Sequence, residues 1–157
     1  MRFSPIAFIL ALAFGLGGVA VAETPAHCFG TGDLASPDGG ISVRVTRLGR
    51  SACGESRVEV FSADGHLLSV ADYTSQDGQS GEGVIQAQWS PDSQFLVYSL
   101  SPPASRPSGR YMLAIYARKH NRVKTLAAAR PDFTFTADAL EVVGSDGQVV
   151  RLPLAGP

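Results

Sequence analysis

Short apolar segments separated by turn residues are the feature of this sequence that most limits its fold. The segments are rich in β-branched and aromatic side chains, and Gly, Asp, Asn, Ser and Pro lie between them. Segments of this length and composition are typical of β-strands and too short for amphipathic helices. The sequence therefore predicts an all-β fold of about ten short strands, either an antiparallel β-sandwich or an incomplete propeller-like stack. The predicted strands are 41–48, 57–62, 66–71, 84–89, 94–100, 111–117, 122–127, 132–136, 139–144 and 148–154.

Three connections have the composition of tight hairpin turns. They are Ala63-Asp64-Gly65, Lys119-His120-Asn121 and Ser145-Asp146-Gly147. Gly and Asn adopt the positive φ angle that such turns require, so we expect consecutive strands to be antiparallel. The segments FLVYSL and YMLAIY are apolar on both faces, which predicts that they form central strands.

The N-terminus has the organisation of an export signal. Arg2 precedes an apolar stretch over 6–16, and Ala20-Val21-Ala22 matches the small-x-small pattern of a signal-peptidase site. We expect 1–22 to be a signal peptide and 23–157 to be a single domain in the periplasm or outside the cell. The apolar stretch is too short for a permanent span, so no membrane span is predicted.

Charge limits the class of partner. The chain has a formal net charge of −1, and loss of Arg2 with the signal peptide makes it more acidic. Nucleic-acid binding requires a basic patch, so nucleic acid is not an expected partner. A protein partner remains open.

The sequence contains two cysteines, Cys28 and Cys53. In an exported chain an even cysteine count favours a disulfide, and here only one pairing is available. A thiol nucleophile or a metal ligand is the alternative, although no CxxC or Cys/His spacing accompanies either residue.

An internal repeat runs through the chain. SPDGGISVRV at 36–45 aligns with SPDSQFLVYS at 90–99 after a shift of 54 residues, and the same shift places RVEVFSADG over YMLAIYARK. A third, shorter copy begins at FTADALEVV, 135–143. Asp38, Asp92 and Asp138 recur at the starts of the copies, where we expect their carboxylates to accept hydrogen bonds from turn amides. Trp89 precedes one such turn and is interpreted as a core residue.

WSPDSQFLVYSL, followed by a hairpin ending in LAIYARKHNRVKTL, resembles the Tol-associated β-propeller repeat. The resemblance covers 84–127 well and 36–71 loosely. It implies the strand geometry of propeller blades. Two and a half copies are too few to close a propeller, so the resemblance does not imply a central-channel function.

Ser108-Gly109-Arg110-Tyr111, between two predicted central strands, is similar to a loop of the periplasmic lysozyme inhibitors directed at invertebrate-type lysozyme. In that family a Ser and a Tyr enter the lysozyme cleft, which implies inhibitory roles for Ser108 and Tyr111 and an antiparallel β-sandwich fold.

The physical character of this loop also favours partner binding. Pro102, Pro103 and Pro107 restrict it before binding, and Arg106 and Arg110 offer charge-assisted hydrogen bonds to carboxylates of a partner. The simpler alternative is purely structural, in which Tyr111 begins a strand, Ser108-Gly109 is a turn and the prolines discourage edge pairing.

Catalytic and cofactor motifs are weak in this sequence. Gly49-Arg50-Ser51-Ala52-Cys53 departs from the nucleophile elbow at its last residue, and Gly30-Thr31-Gly32 lies in an expected N-terminal coil rather than between a strand and a helix. We predict a protein that is not an enzyme and has no cofactor. The three histidines, His27, His66 and His120, are expected to be solvated. Asp72, Asp77 and Glu82 are expected to form a solvated acidic loop, with a calcium site as the alternative.

These observations favour an exported protein-binding module, with a lysozyme as candidate partner and 101–111 as the contact segment. Two alternatives remain: a structural or scaffolding β-repeat protein of the cell envelope, which would use its sheet edges and could form a homodimer, and an immunity protein to an envelope-targeting toxin.

Overall fold

The structure of the protein is a computed structural model that describes residues 28–49, 53–106 and 110–154. It confirms the all-β prediction, with ten strands in two antiparallel sheets of four and six strands. The predicted signal peptide lies outside the described residues. The strands are β1 (Gly32–Ala35), β2 (Ile41–Leu48), β3 (Glu55–Ser62), β4 (Leu67–Asp72), β5 (Val84–Trp89), β6 (Phe95–Leu100), β7 (Tyr111–Ala117), β8 (Arg122–Phe135), β9 (Ala139–Gly144) and β10 (Val149–Pro153), with a 3-10 turn at Arg118–His120.

Two strand predictions were wrong. The segment that includes Gly32 is not coil throughout, because Gly32–Ala35 pairs with β2 as β1. The segments 122–127 and 132–136 are parts of a single strand, β8. Pro131 and Asp132 resemble a turn in sequence. In the structure they lie between Ala128 and Phe133, where the pairing of β8 with β9 is interrupted. The strand therefore accommodates the proline, which has no N–H to donate, without losing a hydrogen bond to β9.

The hairpin predictions are confirmed. Gly65, Asn121 and Gly147 have φ angles of 85°, 49° and 81°, the left-handed conformation expected of each. β6 and β7 lie inside the six-stranded sheet, whose order is β10-β9-β8-β7-β6-β5. Both strands are therefore central, as their apolar faces predicted.

The pairing divides the chain into three consecutive units. Unit 1 contains β1 to β4, and unit 2 contains β5, β6, β7 and residues 122–128 of β8, which pair with β7. Unit 3 contains residues 133–135 of β8 together with β9 and β10. β8 thus ends one unit and begins the next.

Unit 1 packs on unit 2 through the larger apolar core. Val43 and Val60 from unit 1 and Leu96 and Tyr116 from unit 2 are among its buried residues. Trp89 is also buried there, as predicted, and its indole N–H donates to the Leu34 carbonyl at 3.2 Å. This bond joins β5 to β1 across the two units.

A second apolar core lies between units 2 and 3. Val97 and Leu113 from unit 2 pack with Phe133, Leu140 and Val142 from unit 3. Unit 2 is therefore covered on both faces, and the three units form successive layers. This layering accounts for the doubly apolar sequences of β6 and β7.

The repeat is reproduced in the turns that start each unit's second strand. Ser36 donates through its hydroxyl to Asp38 at 2.7 Å, and Ser90 does the same to Asp92 at 2.6 Å. Asp38 and Asp92 also accept the amides of Gly40 and Gln94, as predicted. In the third copy Asp138 likewise accepts from the Thr136 hydroxyl, and it also accepts from the Arg151 guanidinium.

The disulfide between Cys28 and Cys53 is confirmed, with Cα atoms 5.1 Å apart and a sequence separation of 25. It ties the segment before β1 to the connection between β2 and β3. No helix in the described part of the chain is long and apolar enough to cross a membrane.

Candidate functional site

Three loop segments meet at one end of units 1 and 2, and we call 53–55, 73–83 and 101–106 the loop cluster. Ser56, just after the first segment, donates its amide to Glu82 O at 2.9 Å and accepts from the Tyr73 amide at 3.0 Å. Ser101 donates its amide to Gly83 O at 2.8 Å, and its hydroxyl accepts from the Gly83 amide at 3.1 Å. The 73–83 segment therefore joins the disulfide-bearing connection to the proline-rich one.

Glu55 is the polar centre of the loop cluster. Its side chain accepts from the Ser75 hydroxyl at 2.5 Å, the Ser75 amide at 2.8 Å and the Gly81 amide at 2.8 Å, and the residue is 3% exposed. These hydrogen bonds lower the pKa of Glu55 from its ordinary value because they stabilise the charged carboxylate. The bond from the Ser75 hydroxyl has the largest effect. The charged Glu55 carboxylate therefore holds the 73–83 segment in place.

Glu55→Gln is expected to destabilise the protein at neutral pH and to flatten its loss of stability in acid. A carboxyl group with a lowered folded-state pKa stabilises above its ordinary pKa of 4.5, and that contribution is lost as the pH falls through the folded-state value. Urea unfolding from pH 7 to pH 3 measures both effects. Glu59→Gln is the control on the same strand, and equal pH slopes for Glu55→Gln and the wild type would contradict this role.

Two glycines allow the close approach of the 73–83 segment. A Cβ atom on Gly81 would lie 2.6 Å from Glu55 Cδ, and one on Gly83 would lie 2.6 Å from Gly54 O and 2.7 Å from Cys53 O. All three distances are shorter than van der Waals contact. Larger side chains at either position would push the 73–83 segment away from the disulfide-bearing connection.

A tyrosine pair lies beneath the loop cluster. The hydroxyls of Tyr73 and Tyr98 are 2.9 Å apart, and their rings meet edge to face at 6.1 Å. Burial raises the pKa of both phenols, so they are neutral at physiological pH. The pair satisfies the polar ends of two core side chains and positions Tyr73 at the start of the 73–83 segment.

The three residues of the predicted acidic loop, Asp72, Asp77 and Glu82, have separate surroundings. Asp72 accepts from the Thr74 amide and hydroxyl, and Asp77 accepts from the Gln79 amide and from the Ser80 amide and hydroxyl. Burial raises the pKa of Glu82. Within 28–49, 53–106 and 110–154, no three His, Cys, Asp or Glu side chains are grouped as metal ligands.

The predicted contact residues occupy different environments. Arg106 and Arg110 are exposed, and Tyr111 is the half-buried first residue of β7, opposite Ala128. Ser108 and Gly109 lie outside the described residues. The prediction that these five residues contact a partner stays a prediction.

The described part of the 101–111 segment is anchored at its base. Besides the Ser101–Gly83 bonds, the Ser105 amide donates to Gln79 O at 3.1 Å, and the Arg106 amide donates to Pro103 O at 2.8 Å in a turn. Pro102 and Pro103 are half-buried. The base thus contacts the protein, while the two arginines that flank 107–109 face solvent.

Two of the histidines are exposed. His66 contacts Asp64 at 2.7 Å within its hairpin, and His120 ends the 3-10 turn. His27 lies outside the described residues. Glu55 was not identified from the sequence, because nothing near ESRVEV shows that a distant loop folds over its first residue.

No protein-family model matches this chain, and no curated protein matches its sequence. A chain in the structure described as "Crystal Structure of Mitotic Checkpoint Complex" aligns with it at 18% identity and a TM-score of 0.41, covering 96% of this chain and 45% of that chain. This chain therefore spans less than half the length of that one, and the likeness indicates no function.

Proposed function

We propose that this protein is an exported, non-enzymatic protein-binding module that presents the 101–111 segment to a partner in the manner of an inhibitor. The observation that supports it most is the anchored base of this segment, with Ser101 and Ser105 hydrogen-bonded to the 79–83 backbone. A segment held in this way loses less conformational entropy on binding than a free loop. The proposal extends the resemblance to lysozyme inhibitors.

The charges flanking 107–109 favour a partner with acidic groups. Arg106 and Arg110 are exposed, and no ion pair engages either of them among the described residues. Guanidinium groups form paired, charge-assisted hydrogen bonds with carboxylates. The catalytic carboxylates of a lysozyme cleft would meet this requirement, so we propose a lysozyme as the partner.

Inhibition assays against lysozymes of different classes test this function. We expect the wild-type protein to inhibit at least one class, and Ser108→Ala combined with Tyr111→Ala to weaken inhibition by about 30-fold or more, the effect of removing interface hot spots. Arg106→Ala combined with Arg110→Ala is expected to weaken it as well.

Arg122→Ala is the matched control, because Arg122 is an exposed arginine on β8 that pairs with Ala117, at the end of β7 opposite to Tyr111. Circular dichroism tests whether each variant is folded before inhibition is compared. Absence of inhibition and of binding for every lysozyme class would refute the partner. Full inhibition by the Ser108/Tyr111 variant would refute the contact segment.

A further inference from the structure

A groove of about 1060 Å³ lies between the hairpin of β7 and β8 and the end of β10. Its floor is apolar and includes Phe95, Ile115, Ala117 and Leu154. Ile115 of β7 pairs with Lys124 of β8, and Ala117 pairs with Arg122. The side chains of these two pairs therefore lie on one face of unit 2. This is the face that unit 3 covers further along the strands.

The rim of the groove is basic. Lys119, Arg122 and Lys124 line it together with His120, and Asp92 is the one carboxylate in the lining. Among the described residues, no ion pair engages any of the three permanent cations. The groove therefore combines an apolar floor with an excess of positive charge.

On the opposite face of unit 2, the surface that corresponds to the groove is covered by a strand of unit 1. Its fourth strand, β4, lies beside the same hairpin, where the Asn121 side-chain amide donates to Leu68 O at 2.7 Å. Leu68 and Ala71 of β4 pack on the core that contains Tyr116. In the described part of unit 3, no strand follows β10, and the equivalent surface of unit 2 is the groove.

β10 reaches the groove at its C-terminal end, where Pro153 lines the groove, and among the described residues its outer edge pairs with no strand. The Gly144 amide donates to Gln148 O, and the Leu154 amide donates to Asp138 O, so the even-numbered positions bond to β9. The N–H groups of Val149 and Arg151 therefore point away from β9, and Pro153 ends the run of donors. Val149 is 68% exposed, and Val150 is 38% exposed.

We propose that β10 and the groove bind an extended acidic segment of a partner protein that has apolar side chains on one face. The segment pairs with β10 as β4 pairs with β3. Its apolar side chains contact Phe95, Ile115 and Leu154, and its carboxylates approach Arg122 and the two lysines. Strand addition of this kind takes affinity from main-chain hydrogen bonds and specificity from the side chains. The proposal does not depend on the 101–111 segment.

A blocked synthetic peptide in which valine and glutamate alternate is the probe, and NMR of the full chain is the measurement. We expect binding that shifts the groove resonances and protects the Val149 and Arg151 amides from hydrogen exchange. A peptide alternating valine and lysine should bind at least about tenfold more weakly, because its charges repel the rim. Added salt should weaken binding of the glutamate peptide.

Val149→Pro removes an outward N–H without removing a β9–β10 hydrogen bond, and it is expected to abolish binding. Val70→Pro is the matched control, since Val70 is an exposed residue on the β4 edge. Arg122→Glu combined with Lys124→Glu tests the rim independently and should weaken binding by about tenfold or more. Circular dichroism tests whether each of the three variants is folded, and only folded variants are compared.

Other occupants give different results. Concentration-dependent self-association that Val149→Pro removes would show that a second copy fills this site, and it would overturn the proposal. Binding of anionic lipid vesicles to the groove without protection of the β10 amides would also overturn it. So would failure of the glutamate peptide to bind, or equal binding by wild type and Val149→Pro.

Discussion

Trp89→Ala is expected to lower the free energy of unfolding by about 3–5 kcal/mol, the range for removing a large aromatic side chain from a core. Trp89 is 5% exposed, and its ring meets that of Tyr116 edge to face at 6.3 Å. Its loss opens a cavity between units 1 and 2 and leaves the Leu34 carbonyl without its indole donor. The effect is a large share of the stability of a typical domain, about 5–15 kcal/mol.

Two further variants separate the contributions of Trp89. Trp89→Phe keeps an aromatic ring but removes the N–H, so a smaller loss than for Trp89→Ala is expected. Val149→Ala is the surface control and should change stability by no more than about 0.5 kcal/mol. Urea unfolding is followed by circular dichroism, because Trp89 is the only tryptophan. An alanine variant that loses less than about 1 kcal/mol would contradict the predicted core role.

Removing the disulfide through Cys28→Ser and Cys53→Ser is expected to cost about 3 kcal/mol, mainly by giving the unfolded chain more freedom. The crosslink closes a separation of 25 residues that contains β1 and β2. Cys53 also lies against Gly83 in the loop cluster. We therefore expect increased hydrogen exchange at Gly83 and Ser101 in the double variant, in addition to the lower global stability.

Reduction supplies the control for this prediction. A reducing agent should bring the wild-type protein to the stability of the double variant and should leave the double variant unchanged. Equal unfolding free energies for the oxidised wild type and the double variant would show that the crosslink does not stabilise this fold. Unchanged exchange at Gly83 and Ser101 would show that it does not support the loop cluster.

Local sequence patterns predicted most strands because their ends coincide with turns. The bounds of β2, β5, β7 and β9 agree with the predicted segments. β1 was missed because Gly32–Ala35 contains little apolar surface of its own. Its conformation depends on pairing with β2 and on the hydrogen bond from Trp89, a residue far along the chain.

The candidate sites were less predictable than the strands. The disulfide followed from the cysteine count and the predicted export signal, and Arg106 and Arg110 are exposed, while contact of the 101–111 segment with a partner stays a prediction. Nothing local marks Glu55 as the centre of the loop cluster. The basic residues 119–124 are an ordinary hairpin in sequence and become a groove rim only when β10 lies beside them.

By itself the sequence determined the strand class, the antiparallel hairpins, the repeat and the single disulfide pairing, because these depend on side-chain alternation, allowed φ angles and a count of two thiols. The tertiary structure alone decided that β8 joins two units, that three layers form, and which loops meet. Alternation specifies which face of a strand is buried and not what it is buried against. Glu55 with Gly81, Ser101 with Gly83, and β10 with the groove therefore emerge only when the layers stack.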